Sequence, residues 1–542
     1  MNIAKKNSST VRLNGKRLSP TAFIAAAASV VVLMGVLLYA LVPSVQNTAK
    51  LAALSTDDYY AQVMKKQVEK NADALNEYLK MYSLNKDNAH NGTVAITAKK
   101  DFAKEYLELD KEYTLKANYL YNVKDDKMKF DTDIFVNSTK FLDLRTWSNL
   151  DTGSVYMTIP MLTSKTAFFP KEYFDKQFGV QNYYVNIDLT EKDINSIAER
   201  YLDIYLKNAQ GNTVLTKNSA LSVSDVDGSY TKITVTLSGN KLANFYKDIL
   251  AEVKSDKTVM AFCAKQYNIS ELEYTEKLAE QIKIIDEDVE NGEYKDASLK
   301  IYTYIDGSGN IAGIKVVLDD ENHAGCYTSD AYTLYNSTAE FALRASFTND
   351  ASGEGISFIA KGRSFIAKGK ANGLSSAKAV TSLTGTGLLT VTTKGYDYTT
   401  YEYGLQKTKV NFSFENLDLS EIQKGYLSGK VKVTTNSDAY KDIALNAEFA
   451  KDGKTQNMTA DISYNNKPAL TVTVSDKEVT PTEVTLPSKA YNMSDDKQSA
   501  AFYKSISLDK LEKAFKAEFG GLMTDKEIEQ TFDYLEEAIK GS

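Results

Sequence analysis

The sequence predicts an α+β protein. An N-terminal transmembrane helix leads into two modules of twisted antiparallel β-sheet, half-barrel-like, with helices packed on one face. Three observations predict it. One uncharged apolar run follows a basic tail. Long stretches then alternate apolar and polar residues with period two, the mark of half-buried strands. Between them, shorter stretches carry apolar residues at helical spacing, and such a stripe must be buried against another element.

The first twenty residues hold Lys5, Lys6, Arg12, Lys16 and Arg17 and no acidic residue. From Ala22 to Val42 no side chain is charged, and Pro43 closes the run. About 20 apolar residues at 1.5 Å rise cross a hydrocarbon core of roughly 30 Å, and a helix satisfies every backbone polar group internally. Residues 1–20 are therefore expected as a cytoplasmic basic tail and 21–43 as a transmembrane signal-anchor, oriented by the positive-inside rule. This reading places a single-pass protein in the cell membrane, with its N-terminus cytoplasmic and its C-terminal ectodomain extracellular. A cleaved signal peptide would have a shorter core, about 7–15 residues, and a small-residue cleavage site.

The chain's net charge is −7 and the first twenty residues contribute +5, which leaves −12 for the remainder. An acidic surface gives no electrostatic reason to bind nucleic acid. About 500 residues after the anchor exceed what one core normally serves. The expected modules are 44–290, a first α+β module with a stalk helix and a connecting helical block, and 291–480, a second antiparallel β module. A helical segment, 481–542, closes the chain. Cys263 and Cys326 either form one bridge or sit as small buried hydrophobes.

Residues 55–84 carry Met64, Val68, Ala72, Leu75, Leu79 and Tyr82 on one helical face. From Thr93 to Ile159 the period is two: Phe130, Thr132, Ile134 and Val136 alternate with Asp131 and Asp133, and Val155, Met157 and Ile159 alternate with Tyr156 and Thr158. Asp125-Asp126 and Thr152-Gly153 mark turns. Thr190 to Lys207 is a helix capped by Thr190 and Asp193. Two strands follow around Asp227-Gly228, then a helical block over about Lys241 to Asp288, in which Ser270 and Glu273 form a capping box. A long strand series starts at Lys295, with a hairpin turn at Asp306-Gly-Ser-Gly-Asn310. The alternation of Ile443, Leu445, Ala447 and Phe449, and of Leu470, Val472 and Val474, implies a sheet with one packed face and one wet face. Two helices near 507–518 and 524–540 end the chain, the second opened by a Thr524/Glu527 capping box. The repeat of Ser357–Gly362 at Ser364–Gly369 reads as a local duplication without function.

Chemistry-bearing motifs are scarce. The two histidines, His90 and His323, are each expected in an exposed loop, and neither has a nucleophile motif beside it. No zinc-type spacing occurs. Asp306, Ser308 and Asn310 match the first calcium-loop positions, but Ile311 and Val317 stand where Gly and Glu are needed. Asp319-Asp320-Glu321 reads as a solvated acidic loop. Tyr183-Tyr184 and the tyrosines at 396, 398, 401 and 403 read as strand residues, with carbohydrate stacking as the competing use. No catalytic residue, cofactor or metal is expected.

Gly153-Ser-Val-Tyr-Met-Thr-Ile-Pro160, the Ile305–Val316 hairpin and the closing Leu486-Pro-Ser-Lys-Ala-Tyr-Asn-Met-Ser494 resemble segments of uncharacterised membrane-anchored extracytoplasmic proteins of Gram-positive bacteria. The sheet-with-helices layout also resembles the lipoprotein-carrier fold (LolA- and LppX-like), in which an incomplete barrel shelters an acyl chain. That likeness carries over no ligand residue. The many one-faced strands are the ground for the leading expectation, a non-enzymatic extracytoplasmic protein holding a lipid or other hydrophobic ligand, because a curved sheet closing over helices can leave an apolar cavity. Val155, Met157, Ile159, Ile314, Val316 and Leu318 are the candidate lining positions. The competing expectations are a cell-envelope scaffold that binds an envelope protein and, third, a carbohydrate-active enzyme. Expected partners are the membrane, through the N-terminal helix, and a lipid or envelope protein.

Overall fold

Alternation of apolar and polar side chains becomes strand, and 3.6-residue spacing becomes helix, through most of the chain. The computed structural model describes residues 54–81, 87–107, 109, 111–177, 191–260, 270–335, 340–366, 380–397, 402–419, 421, 425–436, 443–521 and 523–541. The first run of elements is α1 (Thr56–Met81), β1 (Asn88–Ala98), α2 (Lys100–Tyr106), β2 (Tyr113–Lys124), β3 (Lys127–Val136), β4 (Thr139–Asn149), β5 (Ser154–Thr158), β6 (Ala167–Phe169) and α3 (Lys171–Gln177). Then come α4 (Glu191–Ala209), β7 (Thr213–Val223), β8 (Val226–Ser238), α5 (Asn240–Ser255), α6 (Glu271–Glu290), β9 (Ser298–Ile305), β10 (Ile311–Asp320), β11 (Gly325–Tyr335), β12 (Glu340–Asn349) and β13 (Gly355–Ile366). The chain continues through β14 (Val380–Asp397), β15 (Glu402–Asp418), β16 (Ser428–Asn436), β17 (Ile443–Asp452), β18 (Thr455–Tyr464), β19 (Lys467–Val479) and β20 (Tyr491–Asn492). It ends in α7 (Asp496–Tyr503), α8 (Asp509–Phe519) and α9 (Asp525–Gly541).

Two compact units emerge. One takes in the described residues up to Tyr78, with Ile187–Val380 and Gly385–Lys409; the other takes in Leu79–Asn186, Thr381–Thr384 and Val410–Ser542. In the first, β7 to β13 pair in sequence order, all antiparallel. Ile233, Val235 and Leu237 alternate along β8 and are fully buried. They lie opposite Thr303, Ile301 and Leu299 of β9. Helices α1, α4, α5 and α6 cover this face through Tyr60, Leu202, Leu242, Leu250 and Leu278. The buried Tyr60 hydroxyl is paired, 2.7 Å from that of Tyr205 and 3.1 Å from Thr303 Oγ1, which offsets its desolvation.

In the second unit the first strand pairs with one near the chain's end. β1 sits between β2 and β19, and the ladder runs β16-β17-β18-β19-β1-β2-β3-β4-β5-β6, antiparallel throughout. β20 adds to β6 in parallel. Three two-residue hairpin loops, Asp125-Asp126, Ser224-Asp225 and Asn465-Asn466, have positive φ at both positions. That is the type I′ geometry whose twist matches the flanking strands. The turn expected at Asp227-Gly228 therefore sits three residues earlier, and those two residues belong to β8. The helix caps form as the sequence implies. Ser270 Oγ accepts from the Glu273 amide, and Thr524 and Glu527 exchange reciprocal bonds of 2.8 and 3.3 Å.

Two expectations need correction. The α+β class with two separate half-barrel modules gives way to a mostly-β structure, 49% strand against 30% helix. Its twenty strands belong to one hydrogen-bonded sheet. The reason is strand length: β14 and β15 run to 18 and 17 residues, against the roughly 4–8 residues that an alternating stretch implies. The expected transmembrane helix and the single-pass localisation at the cell membrane are corrected as well. Among the described residues no helix is long and apolar enough to cross a membrane. Residues 1–53, which include the apolar run, lie outside the described residues, as do Thr190, Cys263 and Tyr183-Tyr184. Cys326 is free and its thiol lies 3.3 Å from Asp319 Oδ1.

Candidate functional site

Along β1, Val94 and Ile96 point to one face and Thr93, Ala95 and Thr97 to the other, as period two requires. Register then assembles rows across strands. Met458, Val474, Val94, Ala117, Ile134 and Leu142 are successive partners on β18, β19, β1, β2, β3 and β4. The next row is Ala460, Val472, Ile96, Leu115 and Val136. All six side chains of the first row are half-buried. In the second, the cross-strand pair Ile96 and Leu115 is 39% and 49% exposed. Among the described residues none of these eleven belongs to a packed core cluster. In the first unit helices cover the face of β8 and β9, whereas no described helix joins a core cluster with this stripe.

The reverse face is charged on β3 and β4. Arg145 pairs with Asp133 at 2.6 Å, Lys140 reaches Asp133 and Asp143 at 3.2 Å each, and Lys129 reaches Asp131 at 2.8 Å. A sheet with one ionic and one apolar face has a single side suited to a hydrophobic ligand.

The apolar stripe ends at a polar row. Asp476, Gly92 and Tyr119 are partners on β19, β1 and β2. His90 Nδ1 lies 2.8 Å from Asp476 Oδ2, and the Tyr119 hydroxyl donates to Oδ1 at 2.7 Å. Tyr426 and Lys454 bond the neighbouring Glu478. The bond to Asp476 raises the His90 pKa above its usual value. Burial pushes the Asp476 carboxyl up, but the bonds from His90 and Tyr119 outweigh it and hold it below the usual carboxylate range. Burial first, then Asp476, pushes the Tyr119 hydroxyl up.

A pH dependence follows. The His90 contribution to stability is present below about pH 6.5, its unfolded value, and is lost as pH rises through the raised folded value. The Asp476 contribution is present above about pH 3.9 and is lost as pH falls through the depressed folded value. The pair is therefore strongest between about pH 4 and 6.5, with a worth of about 1 kcal/mol after solvent screening of these part-exposed groups. NMR titration of the His90 ring in the Asp476→Asn variant should show its pKa falling back toward 6.5; an unchanged pKa would contradict the pairing.

The six positions expected to line a cavity fall in three places. Val155 and Met157 pack with Ala167, Phe169, Met493 and Phe502 beneath α3 and α7. Leu318 and Val316 lie in the core under the helices, Ile314 is 3% exposed, and Ile159 is half-buried just past β5. The open stripe is built instead from strands whose alternation is plain in the sequence but whose pairing is not. His90 lies within β1 rather than in a loop. Asp306 caps its own hairpin, accepting from the Ser308 and Asn310 amides at 2.8 Å each. Of the described histidine, cysteine and carboxylate groups, Asp288, Glu293 and His323 bring donor atoms close enough to hold a metal ion.

No family model and no curated protein matches the chain. Among solved structures, a chain from work on the asymmetric conductivity of engineered proteins is similar over 73% of this chain and 100% of its own, at 8% identity and a TM-score of 0.21. A triple mutant and a quintuple mutant of the Rh. blastica porin are similar over 73% of this chain and 99% of theirs, each at 9% identity and a TM-score of 0.21. Similarity at this level defines neither fold nor function.

Proposed function

We propose that this protein is a non-enzymatic binding protein that carries a lipid or similar single-chain amphiphile on the open face of β18, β19 and β1 to β4. The observation that supports this reading is the in-register apolar stripe, half-exposed at Ile96 and Leu115 and bounded by the His90–Asp476–Tyr119 row. An acyl chain laid along the stripe would gain about 0.8 kcal/mol for each methylene removed from water. Its polar end would meet the carboxylate, imidazole and phenol at the edge of the stripe. The face is mostly aliphatic, which suits a flexible chain better than a planar sugar, whose recognition calls for stacked aromatics.

The purified full-length chain should release lipid on organic extraction, detected by mass spectrometry, and should bind a fluorescent fatty-acid probe. Ile96→Lys and Leu115→Lys place a charge on the stripe at exposed positions, so the fold should persist while probe binding falls at least about tenfold, a loss of about 1.4 kcal/mol. A lipid-free protein that ignores the probe, or a double variant that binds it as the parent does, would overturn the reading and favour a scaffold that docks another protein.

A further inference from the structure

His323 follows β10, and its side chain is only 11% exposed. Its ring stacks on Tyr294, with centroids 4.0 Å apart and 3° between the planes. Nδ1 lies 2.7 Å from Asp320 Oδ1. That carboxylate is 1% exposed, and its other oxygen accepts from the Tyr246 hydroxyl at 3.3 Å. The buried carboxylate on Nδ1 fixes the orientation of the ring and turns Nε2 the other way. Nε2 faces Asp288 Oδ2 at 3.5 Å and Glu293 Oε2 at 3.8 Å, and one donor atom from each of the three residues lies within 4.8 Å of the others. Asp288 stands in the last turn of α6, which carries no basic residue. The helix dipole adds further negative charge at that end.

We propose that His323 Nε2, Asp288 and Glu293 bind a divalent transition-metal ion of the zinc type, with Asp320 as the residue that positions the imidazole. The geometry suits it. Two ligands each about 2.0–2.1 Å from a tetrahedral zinc stand roughly 3.4 Å apart, so the 3.5 and 3.8 Å separations need only a small closure. One nitrogen and two carboxylates favour zinc over calcium or magnesium, which take about six or more oxygens. Three protein ligands leave a fourth position, and Glu293, 47% exposed, sets it at the surface. The carboxylate held on the non-ligating nitrogen is the usual partner of a metal-bound histidine.

The test uses the full-length chain, stripped with a chelator and titrated with Zn²⁺ by calorimetry, and with Co²⁺ by visible absorption. The expected result is one equivalent of zinc and the intense bands of tetrahedral cobalt. Glu293→Gln, at an exposed position that leaves the fold intact, should weaken zinc at least about tenfold, and Asp320→Asn about 10–100-fold. The absence of saturable zinc binding by the parent chain overturns the proposal, as does a Glu293→Gln variant with parental affinity. Either result would mean that the three side chains form a hydrogen-bonded cluster without a metal.

Discussion

Replacing Leu237 with alanine is expected to destabilise the helix-covered unit by about 3–5 kcal/mol. Leu237 is fully buried, with Leu299 of β9 as its register partner, in the core capped by α1, α4, α5 and α6. The substitution forfeits the transfer free energy of the lost carbons and leaves a cavity that close-packed neighbours fill only in part. Hydrogen exchange of the β8 and β9 amides reads the effect locally, which matters because a chain with two units need not unfold in one step. Val214→Ala, at a residue 63% exposed, should stay within about 0.5 kcal/mol of the parent. Equal, small changes in both variants would mean that the helices do not seal this face.

Gly92→Val is the second large effect, expected to cost about 2 kcal/mol or more, the upper part of the range for overpacking. A Cβ at Gly92 would stand 2.4 Å from Tyr119 Cζ, 2.5 Å from Tyr119 Oη and 2.7 Å from the Ser475 carbonyl oxygen. The tyrosine ring can swing aside, but the β19 carbonyl is held in the ladder. Gly92 lies between β2 and β19 with neighbours on both sides, so the strain reaches both pairings. Displacing Tyr119 also removes its bond to Asp476. Denaturant unfolding measures the loss. Gly92→Val combined with Tyr119→Ala should recover part of it, since removing the ring removes one of the two clashes. No recovery would assign the whole cost to the backbone contact.

Local structure was largely legible in the sequence. Period two along Phe130–Val136 and along Leu470–Val474 became β3 and β19, and helical spacing became α4, α5, α6 and α9. The Ser270 and Thr524 caps formed because their partners lie within three residues. Function was less legible. Alternation states that Val94, Ile96, Val472 and Val474 share faces within their own strands. It does not state that β1 and β19, joined by hundreds of residues, are neighbours. Nor does it state which apolar face a helix will cover: Val316 and Leu318 were sealed, and Ile96 and Leu115 were not. The expected loop histidine at 323 became a ring stacked on Tyr294 and held by a buried Asp320. That environment is assembled from α6, the segment after it and β10, and no spacing motif encodes it.

By itself the sequence determined what short-range physics controls: strand and helix identity, hairpin signals such as Asp125-Asp126, helix caps, and an acidic balance of −12 beyond the first twenty residues. Tertiary structure alone decided that the strands join one sheet, that the chain's first strand closes against β19, and that one apolar face stays open while another is covered. The reason is that side-chain periodicity and capping act within a few residues. Strand partnership is set by long-range burial, where many pairings satisfy the same alternation and only the packing of the whole chain selects among them.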